Sequence, residues 1–182
     1  LLEKALRSIA EQTYANREVL VVDNRSASSA RVREVVAAFP GVGLIANDSN
    51  LGFTGGMNQG VAAARGEYVY LTEDDIELAP DCLSVLLQHL SENPDVVLAG
   101  PVMWNLRSPT IRCAGGELSL GPTYQMRITA ADETALSAEA PFKTMFLPGA
   151  MIAAKTSRLR ELGDFARISS CTSKTSSCAR VC

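Results

Sequence analysis

The chain has 182 residues, of which 47% are hydrophobic and 20% charged, with a formal net charge of −3. That balance describes a folded globular domain with a substantial core and excludes the disordered classes. It also argues against a nucleic-acid binder, which needs a basic excess to neutralise phosphates.

Leu2, Ala5, Leu6, Ile9 and Ala10 mark the apolar stripe of an opening helix. The run "EVLVVDN" (18 to 24) is then a continuous apolar strand that ends in polar residues. Ser28 or Ser29 can cap a second helix carrying Val32, Val35 and Val36, which Pro40 and Gly41 close. "VGLIAN" (42 to 47) follows as a strand. Thr54 can start a third helix through Met57, Val61 and Ala64, stopped by Gly66, and "EYVYLT" (67 to 72) is the third strand. Pro80 to Leu90 reads as a fourth helix and "VVLAGPVM" (96 to 103) as a fourth strand. No apolar run approaches the roughly 18 residues of a membrane-spanning helix, and no charged-then-apolar leader is present, so the expected location is cytoplasmic.

Strands and helices alternating at this spacing predict a parallel sheet with helices on both faces. Ligands of such sheets sit at the carboxyl ends of the strands. That rule selects Asp23 and Asn24, then Asn47 to Asn50, then Glu73, Asp74 and Asp75, all on one edge. Each has a plainer reading. Asp-Asn after a strand is commonly an Asx turn. "NLGFTGGMNQG" can be a loop opening a glycine-rich helix, and it has neither the G-x-G-x-x-G order of a dinucleotide fingerprint nor the G-K-[ST] of a P-loop. The three acids can be a solvated helix cap before Pro80. Three such sites on one edge nevertheless favour a ligand, because adjacent carboxylates at a strand end repel one another unless a cation offsets the cost.

Other chemistry-bearing residues are less informative. Cys82 and Cys113 stand singly among apolar neighbours and read as buried thiols. Cys171, Cys178 and Cys182 crowd a tail without hydrophobic periodicity, and a zinc site there lacks a fourth ligand nearby. His89, the single histidine, lies in a leucine-rich helix and reads as structural. Trp104 follows a strand end, where packing is the favoured role and an acceptor-pocket floor the other.

"VLVVDNRS", "NLGFTGGMNQGVAAARGEYVYLTEDD" and "FLPGAMIAAKTSRLRELGDF" together resemble successive blocks of the family 2 inverting glycosyltransferases, in the rhamnosyltransferase-like subgroup. The resemblance runs from Leu1 to about Phe165. It implies an α/β protein of the glycosyltransferase A fold, with a mostly parallel central sheet flanked by helices. It also implies a nucleotide-diphospho-sugar donor, a carbohydrate or lipid-linked acceptor and peripheral membrane association, in cell-envelope polysaccharide synthesis.

Glu73, Asp74 and Asp75 fall on the family's D-x-D position, with Glu73 in place of the more usual Asp or Asn. The divalent metal implied there is Mg²⁺ or Mn²⁺, hard cations that take one or two carboxylates plus phosphate oxygens and waters. Asp75 is the expected ligand, with Glu73 facing the ribose or a metal-bound water, and a mobile loop is expected without metal. Asp23 can accept from the N3–H of uracil or thymine, where cytosine offers only an acceptor, which favours UDP- or dTDP-sugars. Asn24, Asn50 and Asn58 can supply polar contacts to the nucleotide-sugar. Gly52, Gly55 and Gly56 permit close backbone approach to it. Gly149 and Ala150 align with a segment near the acceptor, where small side chains leave room for a sugar.

Two parts of the family pattern are missing. The general base belongs to an E-D pair in a stretch resembling F-F-x-Y-x-E-D-x-D-L, but after Gly163, Asp164 and Phe165 the chain reads "ARISSCTSKTSSCARVC". With serines read as TCN codons, moving the frame back by one base lets Ser169 to Thr175 read Phe-Phe-Leu-Tyr-Phe-Glu-Asp. Residues 1–165 are thus expected to be the transferase-like domain, and residues 166–182 a frameshifted or disordered tail. The family also begins with a strand and a P-x-[YF]-N type turn, so a central strand beside Val19 to Val22 is expected to be missing, at a cost in stability. Two other functions remain open: a donor-binding remnant without turnover, and a sugar nucleotidyltransferase whose Arg- and Lys-bearing glycine loop would precede Leu1.

Overall fold

The computed structural model describes residues 1–106, 111–114, 117–118, 126–127, 141–144, 147, 149, 151–162 and 179–181. Helix α1 (Leu2–Ala10) leads into β1 (Val19–Asp23), α2 (Ser29–Ala37), β2 (Val42–Ala46), α3 (Gly52–Ala63), β3 (Tyr68–Thr72) and α4 (Cys82–Glu92). Short strands follow: β4 (Leu98–Gly100), β5 (Met103–Trp104), β6 (Ile111–Cys113), β7 (Glu117–Leu118), β8 (Met126–Arg127) and β9 (Phe142–Thr144). Then come β10 (Met151–Lys155), α5 (Thr156–Glu161) and β11 (Ala179–Val181).

The first three strands and four helices fall where the apolar runs and their breakers predict, with shifted ends. Helix α3 begins at Gly52 rather than Thr54, on Leu51, which makes no side-chain cap. Helix α4 begins at Cys82 because the residues before it are held against α1. The strand expected over 96 to 103 is broken at Pro101, whose ring removes a ladder donor.

The sheet differs from an all-parallel one. Strands β1 and β2 pair in parallel, Val19 opposite Val42 through Asp23 opposite Ala46. A separate five-stranded sheet has the order β3-β10-β4-β11-β9. Strand β10 lies antiparallel to both β3 and β4, so those two run parallel to each other with a reversed strand between them. Pairing direction is set by the long return of the chain, and hydrophobic periodicity carries no record of it. Ala179–Val181 lies in the segment expected to be frameshifted or disordered, yet it forms β11, parallel to β4 and antiparallel to β9. Most of residues 166–182, with Cys171, Cys178 and Cys182, is outside the described residues.

Two apolar clusters hold the larger sheet. Val61, Leu71, Leu147, Ile152, Ala154 and Leu159 join α3 and α5 to β3 and β10. Leu86 and Leu90 of α4 pack on Ala99 and Ala153, with Tyr68 and Tyr70 at the margin. Deleting a side chain as buried as Leu86 would cost about 2–5 kcal/mol. His89 is buried on α4 beside Asn93, in keeping with a structural role. Cys82 and Cys113 form no disulfide among the described residues, Cys113 buried and Cys82 half-buried.

Candidate functional site

The turn after β1 is built around Asp23 and Asn24. Asp23 is buried at 5% exposure, and its Oδ1 accepts the Ser26 N–H at 2.9 Å, an Asx-type turn. The Ser29 hydroxyl, the Ser26 N–H and the more distant Arg33 charge hold its carboxyl below the usual aspartate value, against the opposing effect of desolvation. Arg25 follows at φ 59, the non-glycine in the left-handed region among the described residues. Such a conformation costs roughly 1–2 kcal/mol and persists only when neighbours enforce it.

Asn24 ties this turn to the next. Its amide nitrogen donates to Asn50 Oδ1 (3.0 Å) and to the Gly52 carbonyl (2.9 Å), and its oxygen accepts from Leu51 N–H (2.9 Å) and Asn47 Nδ2 (3.1 Å). Asn47 also donates to Gln59 Oε1, and Asn50 Oδ1 accepts the Gly52 N–H at 2.8 Å. Gly52 sits at φ 71, where a side chain would strain the backbone. A Cβ on Gly55 would meet Leu51 Cβ at 2.6 Å, so that glycine is required by the loop itself. A Cβ on Gly56 would approach Asn24 and Val22 at 3.7–3.9 Å, which places α3 close against β1. Asn58 is half-buried on α3.

Glu73, Asp74 and Asp75 form an exposed turn directly after β3. The segment beyond is fastened to α1. Ser8 Oγ accepts the Leu78 N–H at 3.0 Å while donating to the Ala5 carbonyl at 2.8 Å. Gln12 donates to the Ala79 carbonyl at 2.6 Å and accepts from Leu83 N–H at 3.0 Å; Thr13 N–H reaches the Pro80 carbonyl at 2.8 Å. Strand β3 on one side and this staple on the other thus anchor the acidic turn. Ser8 and Gln12 are buried polar residues that belong to no motif in the sequence, although both follow Ala5 at helical intervals of three and seven.

A cavity of about 1000 Å³ opens between β1 and β3. Asp23, Asn24, Phe53, Gly56, Glu73 and Asp74 line its end at the carboxyl edge. Asp75, Asn50, Gly52, Gly55 and Asn58 are not part of that lining; Asn50 and Gly52 belong to the network around Asn24. Phe53 is 47% exposed beside the glycine loop. Trp104 is 56% exposed, against the packing role favoured for it. Gly149 lies in a half-buried turn, and Ala150 is outside the described residues.

Among the described residues no three His, Cys, Asp or Glu side chains converge as a metal cage. The acidic turn is an open row of exposed carboxylates, a donor chemistry that would suit a hard cation keeping its waters and sharing its shell with a diphosphate. No helix among the described residues is long and apolar enough to cross a membrane.

The sequence profile of glycosyl transferase family 2 matches residues 1–153. The chain belongs to glycosyl transferase family 2. A protein of Escherichia coli strain K12 named as a colanic acid biosynthesis glycosyl transferase, WcaA, is 38% identical over 88 residues, 47% of this chain and 32% of its own length. A GalNAc(5)-diNAcBac-PP-undecaprenol beta-1,3-glucosyltransferase of Campylobacter jejuni is 33% identical over 95 residues, 50% of this chain and 31% of that one. The aligned stretch therefore spans about a third of these relatives. Among solved structures, GalNAc-T7 with UDP, GalNAc and Mn²⁺ superposes with a TM-score of 0.74 at 13% identity, over 99% of this chain and 38% of that one. A Pyrobaculum calidifontis mannosyltransferase with GDP-Man and Mn²⁺ gives 0.65 at 23% identity, over 91% and 44%. At those identities the likeness is one of fold, and the family 2 transferase has the α/β glycosyltransferase A fold.

Proposed function

We propose that this chain carries the donor site of an inverting glycosyltransferase that moves a sugar from a UDP- or dTDP-sugar to a glycan or lipid-linked acceptor in cell-envelope polysaccharide synthesis. The observation that carries the reading is the convergence of Asp23, Asn24, Glu73 and Asp74 on one cavity at the carboxyl edge of β1 and β3. The names of the Escherichia coli and Campylobacter jejuni relatives support the polysaccharide and lipid-linked context. That context makes peripheral attachment at the cytoplasmic face of a membrane the expected setting. The rhamnosyltransferase-like subgroup rests on the motif blocks alone.

In this reading Asp23 accepts the N3–H of uracil or thymine, and the glycine loop at 52–56 lies along the nucleotide-sugar. Asn24 and Asn50 hold that loop in shape, and Asn58 supplies a polar contact. Asp75 and Glu73 would hold Mg²⁺ or Mn²⁺ against the diphosphate, with Asp74 beside them; the cation supplies charge balance to the leaving diphosphate. Transfer then forms a bond from the acceptor hydroxyl oxygen to the anomeric carbon and breaks that carbon's bond to the diphosphate, while a carboxylate takes the hydroxyl proton. The E-D pair expected to supply that carboxylate is missing from residues 166–182, which favours a second reading of this chain as a binding remnant without turnover.

Calorimetric titration with UDP, dTDP, CDP and GDP, with and without Mn²⁺, tests the donor reading. Metal-dependent binding of UDP or dTDP at least about tenfold tighter than CDP, about 1.4 kcal/mol, is the expected result. Equal affinity for all four, or none with metal present, would overturn it. Release of free nucleotide from UDP-sugars or dTDP-rhamnose separates the transferase from the remnant.

A further inference from the structure

Among the described residues the side chains of Glu73, Asp74 and Asp75 form no hydrogen bond and no ion pair, and neighbouring carboxylates repel one another. Their placement therefore comes from the two ends of the turn. Upstream, Thr72 lies opposite the buried Met151 as the last pair of β3 with β10. Downstream, the chain is next buried at Leu78, whose N–H donates to Ser8 Oγ at 3.0 Å. Residues 73–77 are thus a short span between two pinned ends, and the second pin belongs to α1 rather than to the sheet.

The residue types at that second pin are suited to holding backbone. Ser8 on α1 is 9% exposed, and Gln12, just past the helix end, is 5% exposed. Packing alone favours an apolar side chain at either place, because a buried hydroxyl or amide loses its water. Both amide hydrogens of Gln12 are engaged, with the Ala79 carbonyl at 2.6 Å and the Ser8 carbonyl at 3.2 Å, while its oxygen accepts the Leu83 N–H at 3.0 Å. Glutamine offers donors and an acceptor from one planar group, whereas an ionised glutamate and a methionine have no donor. The Thr13 N–H adds a bond to the Pro80 carbonyl at 2.8 Å, and the Thr13 and Ser84 hydroxyls meet at 3.1 Å. The end of α1 is itself held, since the Arg17 guanidinium donates to the Ala10 and Tyr14 carbonyls. The backbone from Leu78 to Leu83 is thereby registered against α1. Neither Ser8 nor Gln12 lines the cavity between β1 and β3.

We propose that Ser8 and Gln12 are positioning residues of the cation site: by fixing Leu78 to Leu83 they set where the carboxylates of Glu73 and Asp75 stand, without touching donor or metal. The inference rests on the reading of the acidic turn as the place of a divalent cation. Such ions take oxygen ligands at short range, about 2.1 Å for Mg²⁺, and a site must be held to within about 0.5 Å to work well. The base contact assigned to Asp23 lies on a different turn, held by Ser26 and Ser29. Release of the staple should therefore weaken the metal-dependent part of donor binding and spare the rest.

Calorimetric titration of UDP at fixed Mn²⁺, and again with the metal chelated, gives the factor by which metal tightens binding. Four proteins are compared: the unaltered chain, Ser8→Ala, Gln12→Met, and Leu90→Ala, which opens a cavity in the α4 core and removes no staple contact. A factor of at least about tenfold is expected for the unaltered chain and for Leu90→Ala, and about threefold or less for Ser8→Ala and Gln12→Met, with metal-free UDP affinity within about twofold in all four. If Gln12→Met does not fold, the milder Ser8→Ala decides. Hydrogen exchange without nucleotide or metal gives a second readout: Ser8→Ala should speed exchange at Leu83 as well as Leu78, and Gln12→Met at Leu78 as well as Leu83, by about tenfold or more. Acceleration confined to the amide whose bond was deleted would overturn the proposal, because the segment would then not be set as a unit. An unaltered chain that binds UDP equally with and without Mn²⁺ overturns the cation reading and this inference with it. A chain that responds to Mn²⁺ while Ser8→Ala and Gln12→Met respond as fully overturns this inference alone, as does an equal loss in Leu90→Ala, which would assign the effect to stability.

Discussion

Asp23→Asn separates the charge of the β1 turn from its shape. The amide keeps an oxygen where Asp23 Oδ1 accepts the Ser26 N–H at 2.9 Å, so the Asx-type turn can persist. What is lost is ionic character in a group whose carboxyl is held below its usual value, first by the Ser29 hydroxyl and then by the Ser26 N–H and Arg33. A hydrogen bond to an ionised acceptor is roughly twice as strong as a neutral one, whose net worth is about 1 kcal/mol, so the variant should lose about 1 kcal/mol near neutral pH. For a chain of this size that is about 2–4 °C in Tm. The sign follows from linkage. A depressed carboxyl contributes stability that is complete above its unfolded value, about 3.9, and disappears as pH falls through the lower folded value. Chemical denaturation of both proteins from pH 7 down to pH 3 should therefore give a gap that narrows towards the acid end. Donor binding reports separately: loss of a charge-assisted contact to the base N3–H, about 1.5–3 kcal/mol, predicts UDP affinity reduced roughly 10- to 150-fold. A stability gap that stays constant down to pH 3 refutes the electrostatic reasoning, and unchanged UDP affinity refutes the base contact.

Gly52→Ala places a methyl at φ 71 with nothing within 4 Å, so its cost is purely that of the backbone, about 1 kcal/mol after the smaller unfolded-state gain, read by urea titration. Arg160→Met removes a guanidinium that donates to the Val61 (3.0 Å) and Ala64 (2.8 Å) carbonyls at the end of α3. Because the group is partly solvated, a loss of about 1 kcal/mol is expected in the same titration, with early exchange of the α3 carboxyl-terminal amides. For the tail, the source DNA is expected to place the Phe-Phe-Leu-Tyr-Phe-Glu-Asp reading in frame after Phe165. Transfer by protein carrying it should exceed that of the tail as it stands by about 10²- to 10⁴-fold, the value of a general base.

Much of this architecture is legible in the sequence because apolar runs, breakers and strand-end polar residues coincide. Val19 to Val22, Val42 to Ile45 and Tyr68 to Leu71 each stop at a polar or small residue, and the edge they define is where Asp23, Asn24 and Glu73 lie. The start of α3 was not legible, because Leu51 and the left-handed Gly52 begin the helix through backbone geometry rather than a side-chain cap. The reversal of β10 was not legible either, since its apolar run reads alike in both directions. Asn47, Gln59, Ser8 and Gln12 are single polar residues whose partners lie far along the chain, and only the fold brings those partners together. The exposure of Trp104 is not legible for a related reason: a strand end does not reveal whether its last aromatic turns inward or outward.

The central claim is that the acidic turn after β3 holds a cation against the donor diphosphate. The most direct test is the affinity of UDP or dTDP for Asp75→Asn and the unaltered chain, titrated at fixed Mn²⁺ and again with the metal chelated. Asp75 is exposed and hydrogen-bonds nothing that the fold relies on among the described contacts, so the variant should keep its Tm within about 2 °C. The unaltered chain is expected to bind at least about tenfold tighter with Mn²⁺ than without, and the variant to show no difference between the two conditions. A variant with the full Mn²⁺ dependence of the unaltered chain would contradict the account.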